Sequence, residues 1–154
     1  MCVVDTPVGR VCLKDRSGSI VLLTWTDDPA SPPTTDVLRD AACQLAEYFA
    51  GTRTAFSLPL APAGTNHQKN VWAAICAIPF GGLRTYGNLA AEIGSSARAV
   101  GTACGRNPIP IIVPCHRIVS VGGGGGYSGR GGIQTKLRLL KLEGCNLDGD
   151  WFGR

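Results

Sequence analysis

The chain has 154 residues, 44% of them apolar and 6% aromatic, with a formal net charge of +4. That length can bury one good core or two small lobes, and no segment approaches the roughly 18–20 uninterrupted apolar residues of a bilayer span. Val3-Val4 is followed at once by Asp5, so no secretory leader is read and a cytoplasmic protein (nuclear in a eukaryote) is expected.

In chain order, Val8 to Leu13 and Ile20 to Trp25 are β-rich and flank Asp15-Arg16-Ser17-Gly18, a hairpin signal. Pro29 to Pro33 breaks the pattern. A helix then starts with Thr35 or Asp36 as cap, keeps Leu38, Ala41, Ala42, Leu45, Ala46 and Phe49 on one face, and stops at Gly51. Phe56 to Pro62 reads as extended, and Ala61 to Thr65 as a linker between lobes 1–62 and 65–154.

The second lobe opens with a helix from about His67 to Ala77, ended by Pro79-Phe80-Gly81-Gly82. Thr85 caps a short helix with Leu89, Ala90 and Ile93 inward, closed by Gly94. Ser95-Ser96 begins another, with Ala97, Val100 and Cys104 spaced three and four apart, and Asn107-Pro108 stops it. Two short helices around a Gly-Ser-Ser turn form a helix-turn-helix signature. The second of them is nearly all small residues, with Arg98 as its one long side chain. Reading major-groove base edges normally takes several polar side chains. A small-residue helix suits close minor-groove approach with one inserted Arg, or tight packing against a neighbouring helix.

The apolar run Ile111-Ile112-Val113 reads as a strand with Pro114-Cys115-His116-Arg117 at its mouth, and Thr135 to Gly144 reads as an amphipathic helix. A thiol near pKa 8.5 is mostly protonated at neutral pH, so a nucleophilic Cys115 needs a base, and the base needs an orienting acceptor. Strand neighbours face opposite ways, so His116 would reach Cys115 through a water or a kink after Pro114. The candidate acceptors are Glu92, Glu143, Asp148 and Asp150. The other reading is a buried thiol beside a surface histidine. Gly122 to Gly126 with Tyr127-Ser128-Gly129 is either a loop bringing N–H groups against a planar ligand or a plain surface linker.

The seven cysteines are odd in number and irregularly spaced, and no Cys-x-x-Cys occurs, so neither a disulfide framework nor a zinc site is expected. Cys12, Cys43, Cys76, Cys104 and Cys145 read mostly as small buried hydrophobes. The positive charge agrees with a polyanionic partner without identifying one; Arg84, Arg98, Arg106, Arg117 and Arg130 cluster around the motifs.

Taken in order, His67 to Trp72, Ile78-Pro79-Phe80-Gly81, Thr85 to Ala90, Arg98-Ala99-Val100-Gly101, Asn107-Pro108, Pro114 to Arg117 and Leu139 to Gly144 resemble the O6-alkylguanine-DNA alkyltransferase family, the methylated-DNA–protein-cysteine methyltransferases. The likeness is dense over about residues 65–145 and looser in the first lobe, through Leu45 to Gly51 and Phe56 to Leu60. It implies an α/β (α+β) fold with a small ribonuclease-H-like N-terminal lobe and a helix-turn-helix, winged-helix-like catalytic lobe. It also implies DNA repair by single-use transfer of the alkyl group of O6-alkylguanine, and of O4-alkylthymine, to the protein's own cysteine.

Carried over by position, the resemblance makes Cys115 the acceptor, His116 the base acting through a water, and Glu143 its orienting carboxylate. Asn107 becomes the hinge, and Tyr86 the group that neutralises the departing guanine. Arg98 becomes the finger filling the vacated stack, with Thr85, Ala99, Gly101 and Arg106 beside it against DNA. Tyr127, Ser128, Gly129, Lys136 and Cys104 become the lesion pocket. The implied partner is double-stranded DNA, met by a monomer in the minor groove, with no membrane, metal or cofactor. Two features depart from the pattern: His67 stands where an aromatic Phe is usual, and the glycine stretch between Tyr127 and Lys136 is longer. A lesion-binding module, a helix-turn-helix regulator and a repeatedly acting cysteine hydrolase are the competing classes; Cys115 argues against the first and the sparse recognition helix against the second, while a burst of one equivalent would exclude the third.

Overall fold

A computed structural model describes residues 1–121 and 125–145. The chain divides into two compact units, Met1–Ala63 and Gly64–Arg154. Among the described residues no helix is long and apolar enough to cross a membrane.

In the first unit, β1 (Cys2–Thr6), β2 (Gly9–Arg16) and β3 (Ser19–Trp25) form an antiparallel meander in the order β1-β2-β3. The β2–β3 hairpin closes through Ser17 (φ 51°) and Gly18 (φ 80°), with Arg16 opposite Ser19. Two consecutive positive φ values match the strand twist that a two-residue hairpin needs. β1 extends the expected strand pair to three, because its partners lie on β2, where Cys2 faces Leu13 and Val3 faces Cys12. Helix α1 (Asp36–Phe49) covers the sheet. Thr35 caps it, accepting from Leu38 N–H while donating to Asp15 Oδ2 on β2 at 3.0 Å. Leu38, Ala41, Leu45 and Tyr48 bury against Val11, Leu13, Ile20 and Leu23. The chain returns in extended form, with Ile20 donating to Pro59 O at 2.8 Å and accepting from Ala61 N–H at 2.9 Å.

The second unit is helical. α2 (Asn66–Cys76) starts at a capping box in which Thr65 and Gln68 each satisfy the other's backbone N–H. Its Trp72 donates from Nε1 to Ala103 O at 2.9 Å, fastening α2 to α4. A Cβ at Gly64 would fall 2.5 Å from the Trp72 ring, so that approach is open only to glycine. A short strand, β4 (Arg84–Thr85), leads into α3 (Tyr86–Ile93), whose left-handed stop is Gly94 at φ 68°. α4 (Ala97–Gly105) follows, capped by Ser96. Leu89, Ala90 and Val100 are buried as expected, whereas Ala97 is exposed.

The run Ile111–Val113 departs from expectation. It forms a tight turn instead of a strand, with Val113 N–H donating to Ile109 O at 2.8 Å and Ile111 at φ 74°. A β-branched residue rarely takes positive φ, and this one is held by burial and by Asn107. That side chain accepts from Ile109 N–H and donates to Val113 O, both at 2.9 Å. Cys115–Arg117 then forms one 3₁₀ turn, and β5 (Ile118–Val119) pairs in parallel with β4. α5 (Ile133–Leu142) ends at Glu143, with Gly144 at φ 77° beyond.

The Trp72–Ala103 bond gives a direct check on how α2 is held. Trp72→Phe keeps an aromatic body but removes one of the two donors to Ala103 O, leaving Arg106 N–H as its partner, which should cost about 0.5–1.5 kcal/mol. A urea midpoint equal to that of the native chain would contradict it.

Candidate active site

The 3₁₀ turn changes how Cys115 and His116 relate. Successive residues of such a turn splay by about a third of a rotation, so the alternation of a strand does not apply. Cys115 faces a cavity of about 300 Å³, and His116 points inward, fully buried. The cavity wall comes from four places: Tyr86 at the start of α3, Gly101, Cys104 and Gly105 on α4, Cys115 itself, and Gly126, Tyr127 and Ser128 from the loop. A Cβ at Gly101 would lie 3.8 Å from the Tyr86 ring, ordinary contact that leaves the α4 wall flat.

Glu143 gathers the buried polar groups. His116 Nε2 lies 2.7 Å from its Oε2. Arg117 donates from Nε to Oε1 at 2.8 Å and from Nη2 to Oε2 at 3.0 Å, while its Nη1 donates to Ile78 O at 2.6 Å. Gly81 N–H adds a bond to Oε1 at 3.2 Å. A carboxylate facing donors on both oxygens is an acceptor only, so Nε2 of His116 carries a proton. Its other nitrogen, Nδ1, is buried with no hydrogen-bond partner among the described residues. The other described candidate acceptor, Glu92, instead pairs with Arg84 at 3.1 Å on the surface. Asp148 and Asp150 lie outside the described residues.

Burial dominates the acid–base character. It pushes the Cys115 thiol up from its ordinary value, against the pull of Asn107 and of Lys136. Burial also pushes Cys104 up to about 12, helped by the nearby Cys115, and Tyr86 up to about 12. Tyr127 rises well above its usual value for the same reason. His116 moves down, because desolvation outweighs the attraction of Glu143. At neutral pH the cavity is therefore lined by two protonated thiols, Cys104 and Cys115, and two phenol donors, and the buried imidazole of His116 is neutral.

The remaining predicted residues are dispersed. Lys136 is fully buried behind the cavity, donating from Nζ to Ile118 O at 2.7 Å and Gly126 O at 3.1 Å. It ties the loop to β5 and does not line the cavity, which corrects the expected pocket role; burial brings it down to about 8. Gly129 is likewise absent from the lining, and Gly122, Gly123 and Gly124 lie outside the described residues. Arg98 and Arg106 are exposed at the two ends of α4, with Ala99 partly covered beside Arg98. Thr85 caps α3 by accepting from Asn88 N–H at 3.0 Å. His67 meets Ser95 Oγ at 2.7 Å, joining α2 to the helix-turn-helix turn by a polar contact. Cys43 and Cys76 are exposed and Cys145 is intermediate, so only Cys12 and Cys104 of the five meet the buried expectation. Among the described residues no His/Cys/Asp/Glu group could hold a metal ion.

Two residues of this network were not foreseen, Arg117 as a ligand of Glu143 and Gly81. The available signal was Arg117's place beside His116, since a buried arginine demands a carboxylate.

Two family models match the chain: the 6-O-methylguanine DNA methyltransferase DNA-binding domain over residues 66–145, and the ribonuclease-like domain of the same family over residues 2–62. A methylated-DNA–protein-cysteine methyltransferase of Mycobacterium leprae is 40% identical over 148 residues, 90% of this chain and 88% of that protein. One from Methanosarcina barkeri is 51% identical over 112 residues, 71% of this chain and 70% of the relative. The crystal structure of Mycobacterium tuberculosis OGT in complex with DNA superposes with a TM-score of 0.82 at 39% identity, covering 93% of this chain and 92% of the other.

The lowered His116 pKa fixes a pH dependence of stability. The unfolded ring binds a proton below its ordinary 6.5 that the folded ring refuses. The contribution of neutral His116 is thus complete above that value and is lost as pH falls through it. Melting temperature should drop between pH 7.5 and 5.5. A flat profile would contradict the assignment.

Proposed function

The chain belongs to the 6-O-methylguanine DNA methyltransferase family, its activity is transfer of an alkyl group from damaged DNA to a protein cysteine, and we propose that Cys115 is the acceptor, used once. The observation carrying this assignment is that, of the two thiols lining the cavity, Cys115 is the one next in sequence to a buried imidazole held by a carboxylate.

The lesion lies inside the duplex, so its nucleotide is extruded into the cavity at a cost of a few kcal/mol of stacking and pairing. Arg98, exposed on the first turn of α4, enters the minor groove and fills the gap, and the small residues behind it let the helix backbone come close. Arg106 adds a phosphate contact. Nδ1 of His116 takes the Cys115 proton through one water. The sulfur attacks the alkyl carbon bound to O6, the C–O6 bond breaks, and guanine departs with the bonding pair. Tyr86, still protonated at physiological pH, donates to the departing base. The product is a thioether with no good leaving group, which ends the protein's activity. The proposal extends the same chemistry to O4-alkylthymine, with a monomer as the acting species.

Intact mass after mixing with a duplex carrying one O6-methylguanine tests the acceptor. One methyl per chain is expected, and none in Cys115→Ala; lesion-selective binding with unchanged mass would make this a recognition module. Arg98→Ala should slow reaction on duplex DNA about tenfold or more, roughly 1.4 kcal/mol, while sparing reaction with free O6-benzylguanine. Equal losses on both substrates would remove Arg98 from base extrusion.

A further inference from the structure

Arg117 is spent on something other than DNA. It is nearly as buried as His116, and its planar fork lies along the edge of Glu143 while its third nitrogen grips Ile78 O. Its guanidinium also sits 6.0 Å from the Phe80 ring centre. A surface-seeking or phosphate-binding arginine would not be closed off on every side.

We propose that Arg117 is a positioning residue of the proton relay, holding Glu143 as an anion in one orientation so that His116 keeps its proton on Nε2 and a bare Nδ1 toward Cys115. The inference rests on Cys115 being the acceptor and adds how its base is kept usable. With both carboxylate oxygens occupied by donors, the shared proton of the His116–Glu143 contact stays on nitrogen. Arg117 also neutralises the carboxylate that would otherwise draw a second proton onto the ring.

Removing the guanidinium leaves two fates for the pair. Glu143, now without its counter-charge, can pull a proton onto His116 and make an imidazolium. Alternatively it can take the proton itself and donate to Nε2, which forces the ring proton onto Nδ1. Either fate turns Nδ1 into a donor that cannot receive the thiol proton.

The other groups facing the relay do not replace Arg117. Lys136 reaches it from α5, but its Nζ is committed to Ile118 O and Gly126 O. Cys76 at the end of α2, Cys145 beyond α5 and Cys115 itself are all pushed up and so neutral. Lysine at position 117 would keep the charge without the two-pronged grip.

The test is the pH–rate profile for single-turnover alkyl transfer from free O6-benzylguanine, which does not require DNA binding. Arg117→Met should move the acid limb upward by at least about one pH unit, roughly a tenfold loss in rate on that limb. Arg117→Lys should lower the plateau and leave the limb in place. A limb unmoved in Arg117→Met would reduce Arg117 to a structural clamp and overturn the proposal. Should that variant fail to fold, the native chain decides by long-range proton–nitrogen correlation on its two histidines. His116 is expected as the neutral Nε2–H tautomer at pH 7; an Nδ1–H ring or an imidazolium would equally overturn the proposal. Absence of transfer from the native chain would remove Cys115 as acceptor yet leave the tautomer measurement standing, so the two failures are distinct.

Discussion

The second unit is organised around one buried carboxylate. Glu143 has its side chain fully withdrawn from water, a state an isolated anion cannot hold. Its donors come from segments far apart in sequence: Gly81 after α2, and His116 and Arg117 on the 3₁₀ turn. Closing that network therefore requires α2, the acceptor turn and the end of α5 to be in place together. Breaking one arm of a buried pair typically costs about 3–5 kcal/mol, a large part of the stability of a small domain. Folding and the assembly of the His116–Glu143–Arg117 network are thus one event.

The same burial sets a conflict that chemistry must resolve. A desolvated Cys115 resists ionisation, so this thiol is no ready-made thiolate of the low-pKa kind found at exposed redox sites. On the proposed role of Cys115 as acceptor, its nucleophilicity has to be supplied locally, when a substrate fills the cavity and a proton acceptor stands beside it. A single-use protein gains from that arrangement, because a permanently ionised thiol would be consumed by any passing electrophile. Asn107 serves both sides: it lowers the thiol and also holds the turn in which Ile111 adopts positive φ.

The sequence was most readable where structure is local. Thr35, Thr85, Ser96 and Gly94 announced helix ends because a cap is satisfied within three or four residues. β1 was harder, since Cys2–Thr6 becomes a strand only by pairing with β2 across a turn made by Thr6 and Gly9. Ile111-Ile112-Val113 misled for the reason that β-branched runs favour strands; Asn107 overrode the propensity with two side-chain bonds. In the candidate site, Cys115, His116 and Glu143 were picked out by residue type and by family resemblance. The Arg117–Glu143 fork spans 26 residues and leaves no periodic trace. Lys136 was misplaced because sequence proximity to the loop does not say which way a buried ammonium turns.

What α4 lacks is as informative as what it carries. Its inner face, Val100, Ala103 and Cys104, is fixed by packing, and Ala103 also receives the Trp72 bond from α2. Its other small positions, Gly101 and Gly105, form the cavity wall next to Tyr86. One nine-residue helix therefore bounds the hydrophobic core on one side and the acceptor cavity on another, with Arg98 exposed at its start. A larger residue at 101 would press on Tyr86, and a bulkier one at 103 on α2. The absence of long polar side chains along the helix follows from that double duty, and its two arginines, Arg98 and Arg106, stand exposed at its ends.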